Sequence, residues 1–466
     1  MTIPSHLQTE LDALIEETIA TYDAVGLAVA IVDSKQTLKR SYWGQSSVQH
    51  PHELNEDTVF GMASITKSFT AMAIMQLVER GVLDLHSPIS AYLPELHYPG
   101  AGYITLAHFL SHMAGYAPLP RIVATDLLSE VQLPAGEAAD VALSPTIAAE
   151  AGRRLLERLS QPPYPMLGRP GEYLSYCNDG FAALSEIVRR HGGYPTYAEY
   201  VTANILAPLG MLRSRYDVLS LADEPNKTTL YFDVGSERRS TEDWNTNAFA
   251  LCGGGTLKST LADMERYVRC YLNAGLSDEG TRIIDSYTIA EMQKPRIRHS
   301  HQRFYGYGLM TSSLDDITIC GHGGSLPGVS SDMLWSHELG LGVVVLCNTS
   351  NVPVARISTA IMKVLNNHPA TEPRSVFQDR PWNAETIEAA KGTYRSGEGG
   401  VFVLSSDAEG LPQITIGPDT FPVRMVLPDL GLVRIKLNTA ELRLYQKDGN
   451  VWAIGYGGRV VLREQS

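Results

Sequence analysis

The sequence predicts an α+β fold, in which an antiparallel sheet flanked by helices and an all-helical region come first and a small antiparallel β-barrel follows. Strand patterns stand at both ends of the first 367 residues, and mostly helical patterns lie between them. The two sets of strands can join one antiparallel sheet. Beyond residue 385 the sequence shows only short strand patterns separated by turn signals, which are typical of a barrel.

These patterns divide the chain into a large domain over residues 1–367, a linker over residues 368–384 and a barrel domain over residues 385–466. The linker is polar and carries the prolines Pro369, Pro373 and Pro381. Such a segment is typical of a boundary between domains. We therefore expect the barrel to fold separately and to hold no catalytic group, although it can still shape or shield a site in the large domain.

The first elements are a helix and a hairpin. One face of the N-terminal helix carries Leu7, Leu11, Leu14, Ile15 and Ile19. Apolar runs at residues 26–32 and 38–43 predict a β-hairpin. A helix over residues 68–80 follows, with its apolar side chains on one broad side. A shorter helix over residues 104–112 is expected to begin at a Thr105 cap and to end before Gly115.

Residues 116–166 form an insertion in the helical part of the large domain. Seven prolines interrupt it, at positions 118, 120, 134, 145, 162, 163 and 165. A helix over residues 146–159 is predicted inside it. Insertions of this kind often form lids or pocket walls, and a passive surface insertion is the alternative.

The later elements alternate helices and strands before the barrel begins. In the large domain we predict helices at residues 181–190, 197–206, 261–272 and 354–365, strands at 331–335 and 342–347, and a long loop at 223–247. In the barrel we predict strands at residues 401–404, 413–416, 423–427, 432–437, 442–446, 451–456 and 460–462. Asp448-Gly449 is a hairpin turn between two of them.

Composition narrows the class of protein. The net charge of −13 argues against binding to nucleic acid or to anionic membranes. No apolar run reaches the length of about 18 residues that a membrane-spanning helix needs, and the first residues show no secretory signal. The five cysteines are odd in number and have no C-x-x-C spacing. They predict reduced thiols in the cytoplasm rather than a disulfide framework or a zinc site.

The stretch Ser64-Ile65-Thr66-Lys67 carries the first chemical signal. It stands at the start of the helix over residues 68–80, so the Ser64 hydroxyl and the Lys67 amine are neighbours one turn apart. Such a pair at the positive end of a helix suits an activated nucleophile. Because the amine must be uncharged to accept a proton, burial or a cationic neighbour has to lower the pKa of Lys67. Taken alone, S-x-x-K also occurs by chance on surface helices.

Two further motifs follow in order, Tyr176-x-Asn178 and His322-x-Gly324. With Ser64-x-x-Lys67 they resemble the serine β-lactamase and penicillin-binding-protein superfamily. The likeness is strongest to its branch of class C β-lactamases, D-aminopeptidases, D-peptidases and related esterases. It covers residues 10–367, which the resemblance makes a β-lactamase-like serine hydrolase domain. The tail resembles, on pattern and on Gly392-Thr393-Tyr394, the lipocalin-like domain appended to some D-aminopeptidases.

The resemblance implies a role for each site residue. Ser64 is the nucleophile, and Lys67 with Tyr176 handles the proton that Ser64 must lose. Asn178 holds Lys67 and the acyl amide of the substrate. The backbone N–H groups of Ser64 and Ser325 form the oxyanion hole, and Gly324 lets that strand approach closely; the position of His322 contributes to substrate binding.

One position departs from the family pattern. β-Lactamases and cell-wall carboxypeptidases usually have a lysine where this chain has His322, and that lysine provides a fixed charge for a substrate carboxylate. Histidine is mostly neutral near pH 7 because its ordinary pKa is about 6.5. We therefore expect weak recognition of a C-terminal carboxylate and inefficient β-lactam hydrolysis.

Together these features predict a serine hydrolase that works through an acyl-enzyme, with no metal or organic cofactor. The expected substrates are small peptides or amides that contain D-residues. A carboxylesterase or acyl transferase, including peptide cyclisation, and a weak β-lactamase are the alternatives among enzymes. A non-catalytic sensor of peptides or β-lactams is the alternative from another class. No nucleic-acid or membrane partner is expected, and a homo-oligomer is left open.

Some chemically active side chains receive a structural assignment. His108, His112, His299 and His301 are predicted to be structural or surface residues. Cys177 lies inside the tyrosine motif and is interpreted as a packing residue.

Overall fold

The structure is a computed structural model of the 466-residue chain. It describes residues 4–97, 100, 102–117, 136–138, 140–160, 166–235, 237–242, 244, 252–371, 377–380 and 382–464. Residues 118–135, 139 and 161–165 of the predicted insertion lie outside the described residues, so a lid or pocket wall there stays a prediction. The helix predicted within the insertion is present over Pro145–Ser160. Pro373 and Pro381 of the linker also lie outside the described residues.

The elements are numbered in chain order. The helices are α1 (Ser5–Tyr22), α2 (Thr66–Glu79), α3 (Leu106–Leu110), α4 (Pro145–Ser160), α5 (Asn178–His191), α6 (Tyr197–Val201), α7 (Leu219–Ala222), α8 (Cys252–Gly255), α9 (Leu261–Leu272), α10 (Ser286–Gln293), α11 (Val354–Leu365) and α12 (Ala384–Ala390). The strands of the large domain are β1 (Gly26–Asp33), β2 (Thr37–Gly44), β3 (Val59–Gly61), β4 (Leu230–Val234), β5 (Glu237–Thr241), β6 (Lys258–Thr260), β7 (Ile297–Ser300), β8 (Arg303–Tyr305), β9 (Met310–Leu314), β10 (Ile317–Leu326), β11 (Val329–Ser336) and β12 (Leu341–Cys347). The barrel strands are β13 (Gly392–Arg395), β14 (Val401–Ser406), β15 (Pro412–Ile416), β16 (Asp419–Leu427), β17 (Leu430–Ile435), β18 (Asn438–Lys447), β19 (Asn450–Tyr456) and β20 (Arg459–Arg463). None of the described helices is long and apolar enough to cross a membrane.

The large domain is built on one antiparallel sheet of eight strands in the order β2-β1-β12-β11-β10-β9-β8-β7. Strands from the two ends of the segment meet at its centre, where Val29 of β1 pairs with Val345 of β12. This confirms the expectation that both sets join one sheet. Helices α2 and α9 cover one face, and α1 and α11 cover the other. The predicted α+β architecture is therefore correct.

Helix α2 runs through the middle of the core. The sequence predicted one broad apolar side, but every residue from Thr66 to Leu77 is buried. The polar side chains on this helix are accommodated by hydrogen bonds to carbonyl groups. Ser68 Oγ donates to the Ile65 carbonyl at 2.8 Å and Thr70 Oγ1 to the Gly253 carbonyl at 2.6 Å. A helix that is buried on all sides holds its polar groups rigidly.

Several elements differ from the sequence expectations. The segment predicted as a loop at 223–247 contains the hairpin β4–β5, and strands β7, β8 and β9 were not predicted. These strands are short, and β7 is the edge of its sheet, so they carry little of the alternation that marks a half-buried strand. Helix α5 begins at Asn178 rather than at residue 181, and α6 ends at Val201 and continues as the π-helical turn Thr202–Leu206.

The C-terminal strands form a closed barrel of eight strands, β13 to β20 in sequence order. The seven strands predicted from sequence are present, and the additional one is β13. It closes the barrel by pairing with β20, where Tyr394 lies opposite Arg463. The predicted Asp448-Gly449 turn joins β18 and β19. Closure removes the exposed sheet edges that would otherwise invite aggregation.

The barrel is docked on the large domain. A shared apolar cluster contains Ala117 and Leu167 from the large domain and Ala453 and Val460 from the barrel. At the other side of the contact, the backbone N–H of His301, after β7, donates to the Glu441 carboxylate of β18 at 2.9 Å. The domain boundaries at 367 and 385 stay predictions, and no local pattern in the sequence indicated this contact.

Candidate active site

Ser64 lies on a tight turn in front of α2. Residues Ala63–Ile65 form one 3₁₀ turn, and Ala63 has a φ of +46°, in the left-handed region that non-glycine residues seldom adopt. Two hydrogen bonds hold the turn: Thr66 Oγ1 donates to the Ala63 carbonyl at 2.6 Å, and the N–H of Met62 donates to the Leu257 carbonyl at 2.9 Å. Ser64 itself is half-buried. Strained backbone of this kind is common at functional sites.

Lys67 is fully buried and its amine has three polar neighbours. Nζ lies 3.1 Å from Ser64 Oγ, 2.8 Å from Asn178 Oδ1 and 2.6 Å from the carbonyl oxygen of Gly254. Burial is the largest cause that lowers the pKa of Lys67, to about 7, and the positive charge of Arg459 is the second. The amine can therefore be neutral near pH 7.

The neighbours of Lys67 also fix how a neutral amine is oriented. Such an amine has two N–H donors and one lone pair. The Asn178 and Gly254 oxygens can only accept, so they take both N–H groups. The lone pair then remains for the hydroxyl proton of Ser64. This is the arrangement that a general base needs. The role of the Gly254 carbonyl, on α8, was not predicted, since a glycine run signals backbone flexibility rather than an acceptor.

Tyr176 lies in an extended segment beside Ser64. Burial is the largest cause and raises the pKa of Tyr176 above the ordinary value, while an interaction of its phenol with the Ser64 side chain lowers this pKa. The tyrosine therefore keeps its proton near pH 7. Lys67 Nζ lies 4.8 Å from the centroid of the Tyr176 ring. Of the two groups, Lys67 is thus the one suited to accept the first proton, and Tyr176 is suited to pass a proton on.

His112 holds the Tyr176 segment in place. Its carbonyl accepts from the N–H of Ser175 at 3.0 Å, and its Nδ1 accepts from the N–H of Cys177 at 3.1 Å. Its ring centroid lies 4.1 Å from that of Tyr176. The residue is buried and has a φ of +57°. The assignment of His112 as structural thus fits a residue that sits directly under the site. Cys177 is buried as well, and burial raises the pKa of its thiol, which suits a packing residue.

Asn178 is the first residue of α5 and connects Lys67 to the barrel. Its Oδ1 accepts from Lys67, and its Nδ2 donates to Glu398 Oε1 at 3.0 Å. Glu398 belongs to the turn between β13 and β14 and was not predicted to lie near the site. One of the two amide N–H groups of Asn178, which the resemblance assigns to the substrate, is therefore already engaged by the barrel.

His322 lies on β10 and is buried. Its Nδ1 is 2.6 Å from the Gly323 carbonyl, which can only accept, so Nδ1 carries the proton. Nε2 then accepts from the Tyr305 hydroxyl at 2.9 Å. Burial, followed by the nearby charge of Lys67, lowers the pKa of His322 to about 3. The ring is therefore neutral at any working pH, and both its nitrogens are engaged by the protein.

Gly324 and Ser325 continue β10 past the Ser64 turn. Strand β9 pairs with β10 only as far as Gly321, opposite Met310, so this last part of β10 faces the cleft. A Cβ at Gly324 would lie 2.3 Å from the Met62 carbonyl oxygen and 3.0 Å from the Ala63 Cβ. The strand therefore approaches the turn as closely as only glycine permits. Ser325 is exposed, as a backbone donor to a substrate needs to be.

A Gly324→Ala variant should therefore push β10 away from Ser64 and slow acylation by about a hundredfold, the range for losing one oxyanion donor. Stopped-flow turnover of a p-nitrophenyl ester measures this. Gly102→Ala is the matched control, because a Cβ at Gly102 meets no atom within 4 Å. A Gly324→Ala protein that turns over the ester like the control would show that close approach of β10 is not needed.

The site opens into a cavity of about 330 Å³ whose lining includes Ser64, Tyr176 and His322. His299, Arg303 and the barrel residue Arg459 line it as well. His299 is half-buried, and the desolvation of its ring lowers its pKa to about 3. Within the described ranges, no group of three or more His, Cys, Asp or Glu side chains is arranged to hold a metal ion.

Comparison with known proteins identifies the family of this chain. The beta-lactamase family profile matches residues 11–365. The chain belongs to the beta-lactamase family. That family includes the penicillin-binding proteins and D-aminopeptidases whose motifs the sequence resembles, and it makes the chain a β-lactamase-fold hydrolase.

Three relatives of this beta-lactamase family protein indicate how far the likeness extends. The D-aminopeptidase of Gluconobacter oxydans (strain 621H) is 26% identical over 404 residues, which cover 86% of this chain and 68% of that protein. The octameric penicillin-binding protein homologue from Pyrococcus abyssi has a TM-score of 0.66 at 22% identity and covers 98% of this chain and 99% of that one. SurE in complex with D-Leu has a TM-score of 0.68 at 20% identity, over 99% of this chain and 100% of that one. The two structures share the fold over the barrel as well as the large domain.

Proposed function

We propose that this protein is a serine hydrolase that forms an acyl-enzyme on Ser64 and cleaves amide or peptide bonds next to D-residues. The observation that carries the chemistry is the position of the Lys67 amine, whose two N–H groups are taken by Asn178 and Gly254 and whose lone pair faces Ser64. In the reaction Lys67 takes the Ser64 proton as the Ser64 oxygen attacks the substrate carbonyl. The N–H groups of Ser64 and Ser325 stabilise the oxyanion.

The second half of the acylation step returns the proton. Because burial raises the pKa of Tyr176, its hydroxyl keeps a proton that it can give to the departing amine. The proton that Lys67 took from Ser64 then restores the Tyr176 hydroxyl. Water then attacks the ester and the same groups act in the reverse order. The alternative of a silent sensor is not favoured, because a sensor has no need of a lysine with its pKa lowered to about 7.

The substrate class is supported by relatives rather than by a contact in this chain. The D-aminopeptidase of Gluconobacter oxydans and SurE with D-Leu both point to D-amino-acid chemistry. A panel of D- and L-alanine p-nitroanilides and short-chain p-nitrophenyl esters tests it, with Ser64→Ala as the control. We expect the D-anilide to be cleaved faster than the L-anilide. Turnover of esters without turnover of either anilide would favour the carboxylesterase or acyl-transferase alternative.

His322 is proposed to set the preference for the substrate's C-terminus. A carboxylate about 4 Å from a lysine ammonium gains about 1 to 4 kcal/mol, and the neutral His322 gives up most of that gain. Wild type should therefore prefer D-peptide amides over the matched acids. His322→Lys should raise kcat/KM for the acid relative to the amide by about tenfold or more.

The measurement is kcat/KM for one D-peptide acid and its amide on both proteins. With the pKa of His322 lowered to about 3, wild type should show the same preference between about pH 6 and pH 8. Tyr305→Phe is a useful control, since it removes the hydroxyl that binds Nε2 without adding charge. An unchanged acid-to-amide ratio in His322→Lys would remove His322 from this role.

Compartment and assembly complete the proposal. All five cysteines are free and buried, which suits a reducing compartment such as the cytoplasm. The octameric Pyrococcus abyssi homologue makes a homo-oligomer the assembly to look for, by light scattering of the purified protein.

A further inference from the structure

Two turns of the barrel reach the Ser64 site. The turn Gly457-Gly458 joins β19 to β20, and both glycines have positive φ, +57° and +75°, as in a type I′ hairpin. The Gly458 carbonyl accepts the N–H of Tyr176 at 2.8 Å. A Cβ at Gly458 would lie 2.5 Å from His299 Nε2, so the turn fits against the wall of the cavity only without a side chain. The second turn, between β13 and β14, carries Glu398.

Glu398 links the two barrel turns to Asn178, the residue that accepts a hydrogen bond from Lys67. Its carboxylate accepts from Asn178 Nδ2 at 3.0 Å and forms an ion pair with Arg459 Nε. Since a carboxylate only accepts, it holds the Asn178 amide with its NH₂ group outward and its oxygen toward Lys67. Without this contact the Asn178 amide is free to rotate by about 180°, and its NH₂ group would then face the Lys67 amine.

Arg459 brings a positive charge to the same place. Its Cζ lies 5.0 Å from the centroid of the Tyr176 ring, and its Nη1 donates to the Gly457 carbonyl at 3.0 Å. Its second link to Glu398 runs from Nη2 to Oε1 at 3.5 Å. The guanidinium is thus held by the Gly457 carbonyl and by Glu398, over one face of the Tyr176 ring.

We propose that Glu398 and Arg459 of the barrel are positioning residues for the Ser64–Lys67–Tyr176 group: they orient the Asn178 amide and set the charge around Lys67, so that the site is complete only when the barrel is docked. This rests on the proposed role of Ser64 and Lys67. It gives the barrel a part in the chemistry that its sequence does not reveal, since the two residues act through Asn178 and Tyr176 and not on the substrate.

The charges that face Lys67 come from three parts of the chain. From the barrel, Arg459 lowers the pKa of Lys67 and Glu398 raises it. From the start of α5, Cys177 and Asp179 raise it. Burial raises the pKa of Asp179 itself to about 7. The two remaining neighbours are His112, whose pKa is lowered well below its ordinary value by burial, and His322, and both are neutral near pH 7. Glu398 and Arg459 are therefore the charged neighbours of Lys67 that can be substituted without changing a residue next to Tyr176 or Ser64.

The sign of each expected change follows from which form of Lys67 reacts. The neutral amine is the base, so labelling of Ser64 rises with pH through the pKa of Lys67. Arg459→Gln removes a positive charge and leaves Glu398 unpaired, so the pKa of Lys67 should rise. The acid limb, which is the rising part of the plot of labelling rate against pH, should then move to higher pH. Glu398→Gln removes a negative charge and leaves Arg459 unpaired, so the limb should move to lower pH. The double variant should lie between the two.

The experiment is the rate of Ser64 labelling by a fluorophosphonate probe as a function of pH, with the full chain. We expect limbs that shift in opposite directions by about half a unit or more, which is about a threefold change in rate on the limb. Arg424→Gln is the matched control, because it removes an exposed barrel ion pair with Asp379. It should leave the limb where wild type has it.

The outcomes separate the two claims. A wild-type protein that is not labelled at Ser64 contradicts the proposed function. If wild type is labelled at Ser64 but both single variants show the same pH midpoint as wild type, the positioning role of Glu398 and Arg459 is contradicted. A loss of folded protein lowers the amplitude of labelling but not the midpoint of the limb, so the midpoint remains informative. If Arg459→Gln does not fold, Glu398→Gln alone decides the matter, since a limb that stays in place or moves to higher pH overturns the proposal.

Discussion

Replacing Lys67 with methionine is expected to slow acylation of Ser64 by about two to four orders of magnitude, the span of general acid–base catalysis. Methionine fits the buried volume but has no lone pair on nitrogen to take the Ser64 proton. Wild-type labelling should also rise with pH through a midpoint near pH 7 to a plateau about one unit higher, because the pKa of Lys67 is lowered to about 7. The variant should lose this rise. Labelling rates with a fluorophosphonate probe across pH measure both effects.

Lys258→Met is the matched control for this experiment. Lys258 is also fully buried, its pKa is lowered to about 8 by burial, and its Nζ donates to the Tyr216 carbonyl at 2.6 Å. It lies on β6 and does not contact Ser64 Oγ. The control should lose stability, because a buried carbonyl loses its donor, while its folded fraction keeps the wild-type pH dependence. A Lys67→Met protein that is labelled as fast as Lys258→Met would remove Lys67 as the base.

Tyr176→Phe should lower turnover of a D-amino-acid anilide by about two to four orders of magnitude. The phenol interacts with Ser64 and stays protonated because burial raises its pKa, so its loss should matter most when the leaving group needs a proton. An activated p-nitrophenyl ester, whose leaving group departs without one, should be affected much less. Steady-state kcat for the two substrates on the same preparation measures the difference.

Tyr267→Phe provides the control for Tyr176→Phe. The hydroxyl of Tyr267 is also buried and donates to Ser68 Oγ at 3.0 Å, one turn along α2. Its loss should cost some stability and leave kcat for both substrates near wild type. Equal losses on anilide and ester in Tyr176→Phe would indicate that the phenol positions Ser64 rather than passing a proton.

The motifs predicted part of the group of residues that meets around Ser64, without the Gly254 carbonyl, Glu398 and Arg459. Ser64 and Lys67 are three residues apart across the start of α2, so their contact follows from helix geometry. Asn178 is 111 residues further on, and its bond to Lys67 was expected only through the family resemblance. The shared sheet was predictable because apolar strand patterns stand at both ends of the large domain, and strands of this kind bury their faces by joining a common sheet. The ten-residue strand β10 was implied only through the family resemblance, and the other large-domain strands that were missed are short or lie at an edge.

The contribution of the barrel was not predictable from sequence. Glu398 stands in a polar turn and Arg459 begins β20 just after one, and their surroundings predict ordinary solvent-exposed positions. The contact between Glu398 and Asn178 spans 220 residues of chain. No local pattern marks which turns of a barrel will meet another domain. The charge state of His322 was expected to be mostly neutral, but its buried position and its bonds to Tyr305 and Gly323 make it neutral throughout and leave it no free nitrogen.

The central claim is that Ser64 is the nucleophile, and intact-mass analysis of the protein after reaction with a fluorophosphonate probe tests it most directly. We predict one adduct per chain on wild type, mapped to the peptide that contains Ser64, and no adduct on Ser64→Ala. Labelling of Ser64→Ala at the wild-type rate, or an adduct mapped to another residue, would contradict the assignment of this site.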